Sequence, residues 1–219
     1  MPAEAIHPLK LASVLLQYPS PAAGESVAGL DPAELAPLRG RQAQRLATFL
    51  DWYRGRSLDE LRRAYVETFD FAKQRSLHLT YHLHGDSRQR GLALLKLKEA
   101  YAAAGFECDP AELPDFLPLM LEFCALAPEP AGREMLDRHR PAIELIRDSL
   151  HRERSPFAEL LDAVVGGLPG LTERQVARIK RLAAEGPPSE QVGLEPFAPP
   201  EVMPVPGDPP ARPMVGGRE

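Results

Sequence analysis

The most varied side-chain chemistry in this sequence lies in one pentapeptide, His84-Gly85-Asp86-Ser87-Arg88. It precedes a stretch in which leucines recur at helical spacing. The start of a helix offers free backbone N–H groups and a partial positive charge, so this pentapeptide could bind a partner. Its residues could instead serve the helix itself, with Asp86 as the N-cap and a glutamine three residues later completing a capping box. Gly85 would then adopt a positive φ, and residue types alone favour this capping role.

Two histidines one helical turn apart, His78 and His82, are the residues that best fit a metal site. Their spacing would let both imidazoles face one ion, with Cys108 or Cys124 as a third ligand. No Cys-x-x-Cys pair or tight Cys/His cluster accompanies them, which favours ordinary, partly buried histidines. We therefore predict no metal and no cofactor. A helical metal-dependent enzyme that uses these two histidines remains an alternative.

A strongly apolar helix is expected over residues 114–126, and two carboxylates interrupt it. Asp115 and Glu122 are seven residues apart, nearly two turns, so they would share one stripe of that helix. The stripe could be a solvated edge, or it could border an apolar groove and attract a cationic partner. Arg88 and Arg90 could also pair with such acids inside the protein. The groove residues would be Phe116, Leu117 and Met120, with Asp70 as a further carboxylate.

Sequence patterns of common catalytic sites are absent. There is no GxxxxGK or GxGxxG phosphate-binding loop and no GxSxG nucleophile elbow. A di-iron helix bundle needs two Glu-x-x-His repeats, and only Glu4-Ala5-Ile6-His7 matches. These patterns therefore give no support for an enzyme.

Capping signals followed by apolar residues at helical spacing recur along the chain, and no useful strand pattern occurs. Ser57 and Glu60 form a capping box before a stripe that ends at Phe69, and Thr172 with Gln175 forms another. The chain is therefore predicted to be all-α, a single-domain helical bundle. Further helix starts are expected at Asp31, Asp86, Pro114, Glu129 and Ser155, and helix ends at Gly105, Gly166 and Gly186.

Prolines should interrupt several helices, because proline lacks the N–H that a helix interior needs. Pro19 and Pro21 are expected to end the first helix. Pro118 should begin or kink the apolar helix, and Pro141 should restart a later one.

Length, charge and cysteine content narrow the class of protein. The chain has 219 residues and a net charge of −5, which disfavours nucleic-acid binding because that needs a basic face. Two cysteines are too few for a disulfide scaffold. There is neither a signal-peptide pattern nor an apolar run of membrane-spanning length. We therefore expect a cytoplasmic protein that does not insert into the membrane.

The C-terminal part of the chain differs from the rest in composition. Ten of the 24 prolines lie between Pro187 and Pro213, where large apolar residues are few. Such a segment cannot bury enough surface to offset the entropy lost on ordering. We predict a helical domain at residues 1–185 and a disordered, Pro-rich tail at residues 186–219.

Three blocks of sequence carry a resemblance to a known family. They are Tyr65-Val66-Glu67-Thr68-Phe69-Asp70, His82-Leu83-His84-Gly85-Asp86-Ser87-Arg88-Gln89-Arg90-Gly91 and Glu112-Leu113-Pro114-Asp115-Phe116-Leu117-Pro118-Leu119. In this order, and in register from about Leu11 to about Leu150, they resemble the delta chain of respiratory nitrate reductase, the NarJ type of molybdoenzyme assembly chaperone. Related chaperones carry a histidine where this chain has Phe116, which leaves Pro114 and Asp115 as the matching residues of that motif.

The resemblance implies a small all-helical chaperone that performs no catalysis. It implies binding, in the cytoplasm, to the N-terminal peptide of the nitrate reductase catalytic subunit, with molybdenum-cofactor delivery proteins as further partners. The apoprotein would be kept competent for insertion of the molybdenum cofactor and iron–sulfur clusters before it docks at the membrane. A stable scaffold subunit of the complex is the other alternative. The residues expected at the peptide site are Asp70, His84, Asp86, Arg88, Asp115, Phe116, Leu117, Met120 and Glu122.

Overall fold

The computed structural model describes residues 7–30 and 40–188, and the regular elements of these residues are helices. A short 3-10 helix, Lys73–Arg75, accompanies the α-helices. The prediction of an all-α fold is confirmed. In chain order the α-helices are α1 (Pro8–Leu15), α2 (Pro21–Ala28), α3 (Arg41–Arg54), α4 (Leu58–Phe69), α5 (Leu79–His84), α6 (Arg88–Ala103), α7 (Leu117–Leu126), α8 (Ala131–Arg152), α9 (Phe157–Gly166) and α10 (Glu173–Glu185).

Local capping explains where several of these helices begin and end. At the start of α4, the Glu60 N–H donates to Ser57 Oγ at 3.4 Å and the Ser57 N–H donates to Glu60 Oε2 at 2.8 Å. Thr172 and Gln175 form the second predicted capping box, at the start of α10. The chain leaves α6 through Gly105, whose φ of +83° lies in the left-handed region that glycine adopts readily. These predicted boundaries are confirmed.

Several prolines of the described residues lie in the first turn of a helix. The first helix ends at Leu15, before the prolines that were expected to end it. Pro21 is also the first residue of α2, and Ser20 is the N-cap of that helix. Pro118 lies in the first turn of α7, where its missing N–H costs no hydrogen bond. Pro141 lies inside α8, and the prediction that it restarts a helix is wrong. Packing of α8 against α5, α7, α9 and α10 outweighs the one hydrogen bond lost there.

Three sequence predictions concern residues that the structure does not describe. The helix start at Asp31 and most of the Glu4-Ala5-Ile6-His7 pattern are outside residues 7–30 and 40–188. The predicted tail is outside them beyond Pro188, so its boundary with the helical domain stays a proposal.

The core is built around α8, which is 22 residues long and buried along one face. The α3 helix packs against α9, and α1 packs against α7. Aromatic rings from α3, α4 and α9 meet at Phe157, whose ring centroid lies 5.4 Å from that of Phe49 and 4.9 Å from that of Phe69. Such pairs add specific ring contacts to the apolar area that they bury.

The segment before α5 is joined to the segment before α7 by backbone hydrogen bonds. The Leu79 N–H donates to the Asp115 carbonyl at 3.0 Å, and the Leu117 N–H donates to the Leu77 carbonyl at 2.8 Å. His78 and Phe116 form an isolated antiparallel bridge between these bonds. The pairing places the third sequence block beside the residues that precede the second block. The side chains of His78, Thr80 and Arg90 meet there at Asp115.

Candidate functional site

Asp115 is the centre of this junction, and none of its surface is exposed (0%). Its Oδ2 atom accepts a hydrogen bond from the Thr80 N–H at 3.1 Å and another from the Thr80 hydroxyl. Its Oδ1 atom lies 3.2 Å from His78 Nδ1, and Arg90 Nη2 lies 3.9 Å from Oδ2. A buried carboxylate is costly without such partners, so this set of donors is what allows Asp115 to be buried.

The donors around Asp115 also set its ionisation. Burial by itself raises the pKa of this carboxyl. The hydrogen bonds from His78 and Thr80, together with the positive charge of Arg90, outweigh burial, and the pKa of Asp115 lies below its usual value. Asp115 is therefore a carboxylate at neutral pH, with its charge compensated inside the protein.

The expected acidic stripe on the apolar helix is not formed. Asp115 precedes α7, which begins only at Leu117, and its side chain turns inward. Glu122 lies on α7, is half-buried, and forms an ion pair with Lys10 of α1. The prediction that Asp115 and Glu122 border one groove is therefore wrong, because the helix starts after Asp115. Asp70 is exposed at the C-cap of α4.

Of the three apolar residues expected in a groove, only Phe116 reaches the surface. Leu117 and Met120 are fully buried in the core. Phe116 is half-buried, and its ring centroid lies 5.4 Å from that of His78. Leu117 and Met120 can support a binding surface from below, but they do not line one.

The capping role proposed for Asp86 is also wrong, because α6 starts one residue later than expected. Its N-cap is Ser87, whose hydroxyl donates to the His84 carbonyl at 2.8 Å and makes no capping bond. The Asp86 side chain is 71% exposed, and its Oδ1 atom lies 3.6 Å from Arg90 Nη1. Arg88, the first residue of α6, is exposed.

Gly85 has the positive φ that the sequence predicted, at +58°. The chain that follows α10 passes directly over it. A Cβ atom at this position would lie 1.9 Å from the carbonyl oxygen of Pro188. Gly85 therefore allows both the turn before α6 and the close approach of the chain after α10.

Arg90 connects the exposed and buried parts of the junction. Its guanidinium forms ion pairs with both Asp86 and Asp115. The guanidinium carbon also lies 5.9 Å from the centroid of the Tyr81 ring. The pairing of Arg90 with acids inside the protein was anticipated from sequence, and its i, i+4 spacing from Asp86 indicates one partner. Thr80 and Tyr81 were missed, because nothing in the sequence pairs Thr80 with Asp115 or Tyr81 with Arg90.

His78 and His82 do not face a common point. His78 bonds to Asp115, whereas His82 is buried with Nε2 at 2.7 Å from the Ser76 carbonyl oxygen. Burial lowers the pKa of His82. In the described residues, no group of three or more His, Cys, Asp or Glu side chains could hold a metal ion.

A separate groove of about 570 Å³ lies beside α6, between α8 and α10. His84 lines it and is the one predicted site residue that does so. The groove residues from these helices are Gln89, Leu92, Ala93, Lys96 and Leu97 on α6, Arg138 and His139 on α8, and Arg178 on α10, with Leu83 and His84 from α5. Among the helices of the described residues, none is long and apolar enough to cross a membrane.

Comparisons with known proteins agree with the resemblance noted in the sequence. A model of the nitrate reductase delta subunit family matches residues 33–162. The chain is 36% identical over 132 residues to the probable nitrate reductase molybdenum cofactor assembly chaperone NarJ of Bacillus subtilis. This alignment covers 60% of this chain and 72% of that protein. It is 33% identical over 159 residues to the nitrate reductase molybdenum cofactor assembly chaperone NarJ of Escherichia coli K12, covering 72% and 67%.

A third relative is the nitrate reductase-like protein NarX of Mycobacterium tuberculosis, which is 35% identical over 161 residues. The match covers 70% of this chain and 23% of NarX, so the similarity concerns one part of a longer protein. The family match includes all three sequence blocks and the polar partners of Asp115, which are His78, Thr80 and Arg90. The chain therefore belongs to the nitrate reductase delta subunit family, and it is an assembly chaperone rather than an enzyme.

Proposed function

We propose that this chain is a cytoplasmic chaperone for the catalytic subunit of nitrate reductase and binds the N-terminal peptide of that subunit. The observation that carries the proposal is the family match over residues 33–162, which spans the whole Asp115 junction. The chaperone would keep the apoprotein competent for insertion of the molybdenum cofactor and iron–sulfur clusters before membrane docking. Molybdenum-cofactor delivery proteins would be further partners.

The proposed peptide surface is the outer side of the Asp115 junction. Three half-buried rings lie at this junction, with Tyr81 beside Arg90 and Phe116 beside His78. Rings of this kind can receive the apolar face of an amphipathic peptide, where burial supplies most of the affinity. In this proposal Asp115 does not touch the peptide and instead holds the rings in position.

Charge at this surface comes from the exposed carboxylate of Asp86, which would face a basic residue of the peptide. Its contact with Arg90 is long, at 3.6 Å, so the carboxylate can accept a second cationic partner. Asp70, Arg88 and Glu122 remain candidate contacts because each is at least partly exposed. Leu117 and Met120 would act only by supporting Phe116 from the core.

Calorimetric titration of the full chain with the N-terminal peptide tests this proposal. Asp86→Asn is expected to weaken binding by up to about fivefold, because an exposed charge pair contributes roughly 0.2–1 kcal/mol. Asp148→Asn is a matched control, since Asp148 is 64% exposed and pairs with Arg152 four residues later, as Asp86 does with Arg90. The control should bind like the wild type.

Failure of the wild-type chain to bind the peptide would refute the peptide part of the proposal. The chaperone role is tested separately, by isolating the mature nitrate reductase complex from cells that make this chain. A chaperone should be present with the cofactor-free catalytic subunit and absent from the mature complex. Stoichiometric presence in the mature complex would instead indicate a stable scaffold subunit.

A further inference from the structure

The groove between α6, α8 and α10 is separate from the peptide surface proposed above and has a different character. Its apolar lining comes from Leu83, Leu92, Ala93 and Leu97. Leu92 is 62% exposed, and Leu95, one turn further along α6, is 54% exposed. Leucines three residues apart on a helix lie side by side, so these two extend the apolar surface beyond the groove.

Cations surround this apolar lining. Lys96, Arg138 and Arg178 come from three different helices, and no carboxylate in the described part of the chain pairs with any of them. Burial lowers the pKa of Arg178, and the charges of Arg181 and Arg174 on the same helix lower it further. The whole chain nevertheless carries a net charge of −5, opposite in sign to the charges that line this groove.

The two histidines of the groove add no further positive charge at neutral pH. Burial lowers the pKa of His139, and burial together with the charge of Arg178 lowers the pKa of His84. The groove therefore offers an apolar surface with neutral imidazoles, bordered by three permanent cations.

We propose that this groove binds an acidic amphipathic helix of another polypeptide. Leucine-type side chains of that helix would enter between Leu92 and Leu97, while its glutamates or aspartates would face Lys96, Arg138 and Arg178. Charge complementarity selects this partner, because a basic helix would be repelled by the three cations. The proposal adds a second interface and does not depend on the N-terminal-peptide site.

A nucleic acid is a less suitable occupant of the same groove. Single-stranded nucleic acids are held by aromatic side chains that stack on bases, and no Phe, Tyr or Trp lines this groove. The apolar lining would be left unused against a phosphate backbone. The exposed leucines instead match the apolar face of a helix.

The test uses the full chain and a fluorescently labelled synthetic helical peptide with leucines along one face and glutamates beside them. A second peptide replaces every glutamate with lysine. Fluorescence anisotropy is expected to show at least tenfold tighter binding of the acidic peptide, a difference of about 1.4 kcal/mol. Equal binding of the two peptides would overturn the proposal.

A pair of matched double variants locates the site. Lys96→Glu with Arg178→Glu reverses two groove charges and should weaken binding about tenfold or more. Lys98→Glu with Lys180→Glu makes the same change of net charge two residues further along each helix, about 200° around the axis. That control is expected to bind within about twofold of the wild type, because distant exposed charges are screened. Equal loss in both would show a non-specific charge effect and would overturn the proposal.

Single variants at Lys96 and Leu92 separate the charge of the groove from its apolar lining. If the double variant does not fold, Lys96→Glu alone tests the charge reversal, because Lys96 is exposed and its replacement should not disturb the core. Leu92→Ser should weaken binding of the acidic peptide about fivefold through lost apolar burial. Unchanged binding by Leu92→Ser would remove the lining from the interface and overturn the proposal.

Two different occupants of the groove would each give a distinct result. Tighter binding of single-stranded DNA than of the acidic peptide would assign the groove to nucleic acid. A dimer in sedimentation experiments that Leu92→Ser dissociates would assign it to a second copy of this chain. Either result would overturn the proposal.

Discussion

At the scale of single residues, Asp115 accounts for the geometry of the junction better than any other side chain. Its carboxylate bonds to His78, just before α5, and to Thr80, near the start of α5. It also lies beside Arg90 of α6, and its own backbone leads into α7. One buried carboxylate thus links α5, α6 and the segment that leads into α7. Of the three rings at the junction, that of His78 bonds to Asp115 directly, although Asp115 itself has no exposed surface.

We predict that Asp115→Asn lowers the free energy of unfolding by roughly 1–3 kcal/mol, because an amide cannot accept all the hydrogen bonds that the carboxylate accepts. Urea denaturation of the two proteins measures this difference. Asp148→Asn, which changes an exposed carboxylate, should stay within about 0.5 kcal/mol of the wild type. Unchanged stability of Asp115→Asn would show that the junction does not depend on this charge.

The same variant has a defined pH dependence. The pKa of Asp115 is lowered in the folded protein, so its contribution to stability is present above the unfolded pKa of about 3.9 and is lost as pH falls through the folded pKa. The stability difference between wild type and Asp115→Asn should therefore narrow in acid below about pH 4. A difference that grows in acid would contradict this assignment.

Among the structural elements, the turn between α5 and α6 determines which side chains lie at the basic groove and which lie at the Asp115 junction. Gly85 reverses the chain there, so that His84 lines the basic groove while Asp86 faces Arg90. The carbonyl of Pro188 lies against the same glycine, which links the end of α10 to this turn. A side chain at this position would disturb both surfaces at once.

Gly85→Ala is expected to lower the free energy of unfolding by roughly 1–3 kcal/mol, since φ +58° with ψ −145° is a conformation that side chains rarely adopt. Thermal and urea denaturation measure the effect. Gly91→Ala is the control, because nothing lies within 4 Å of its added Cβ inside α6. That change should raise stability by about 0.5–1 kcal/mol. A stabilising effect at Gly85 would mean that the turn is not held in this conformation.

At the scale of the whole molecule, α8 organises both the core and the basic groove. It packs against α5, α7, α9 and α10, and it supplies Arg138 and His139 to the groove. Its buried histidine and the buried His82 of α5 are ionisable groups within a core that favours their neutral forms. Stability of the whole fold is therefore coupled to pH near neutrality.

We predict that the free energy of unfolding falls as pH is lowered below about 6.5, the pKa of histidine in an unfolded chain. Burial lowers the folded pKa of both His82 and His139, so the unfolded chain binds protons first and is favoured in acid. Each histidine can contribute up to about 1.4 kcal/mol per pH unit between its two pKa values. Urea midpoints between pH 7.5 and about 5.5 measure this slope. A flat profile would contradict the prediction, and His139→Gln should reduce the slope.

The features of this protein that depend on neighbours along the chain could be predicted from its sequence. The capping boxes at Ser57 and Thr172 and the positive φ of Gly85 follow from residues within one helical turn, and helical spacing of apolar residues predicts the all-α fold. The order of the three sequence blocks indicated the family.

The directions in which the charged side chains point depend on tertiary contacts that the sequence does not show. Asp115 turns inward because Thr80, 35 residues earlier, supplies its donors, and the basic groove exists because three helices bring their cations together. Periodicity reports which residues share a face of one helix, whereas burial and charge pairing depend on which other elements that face meets.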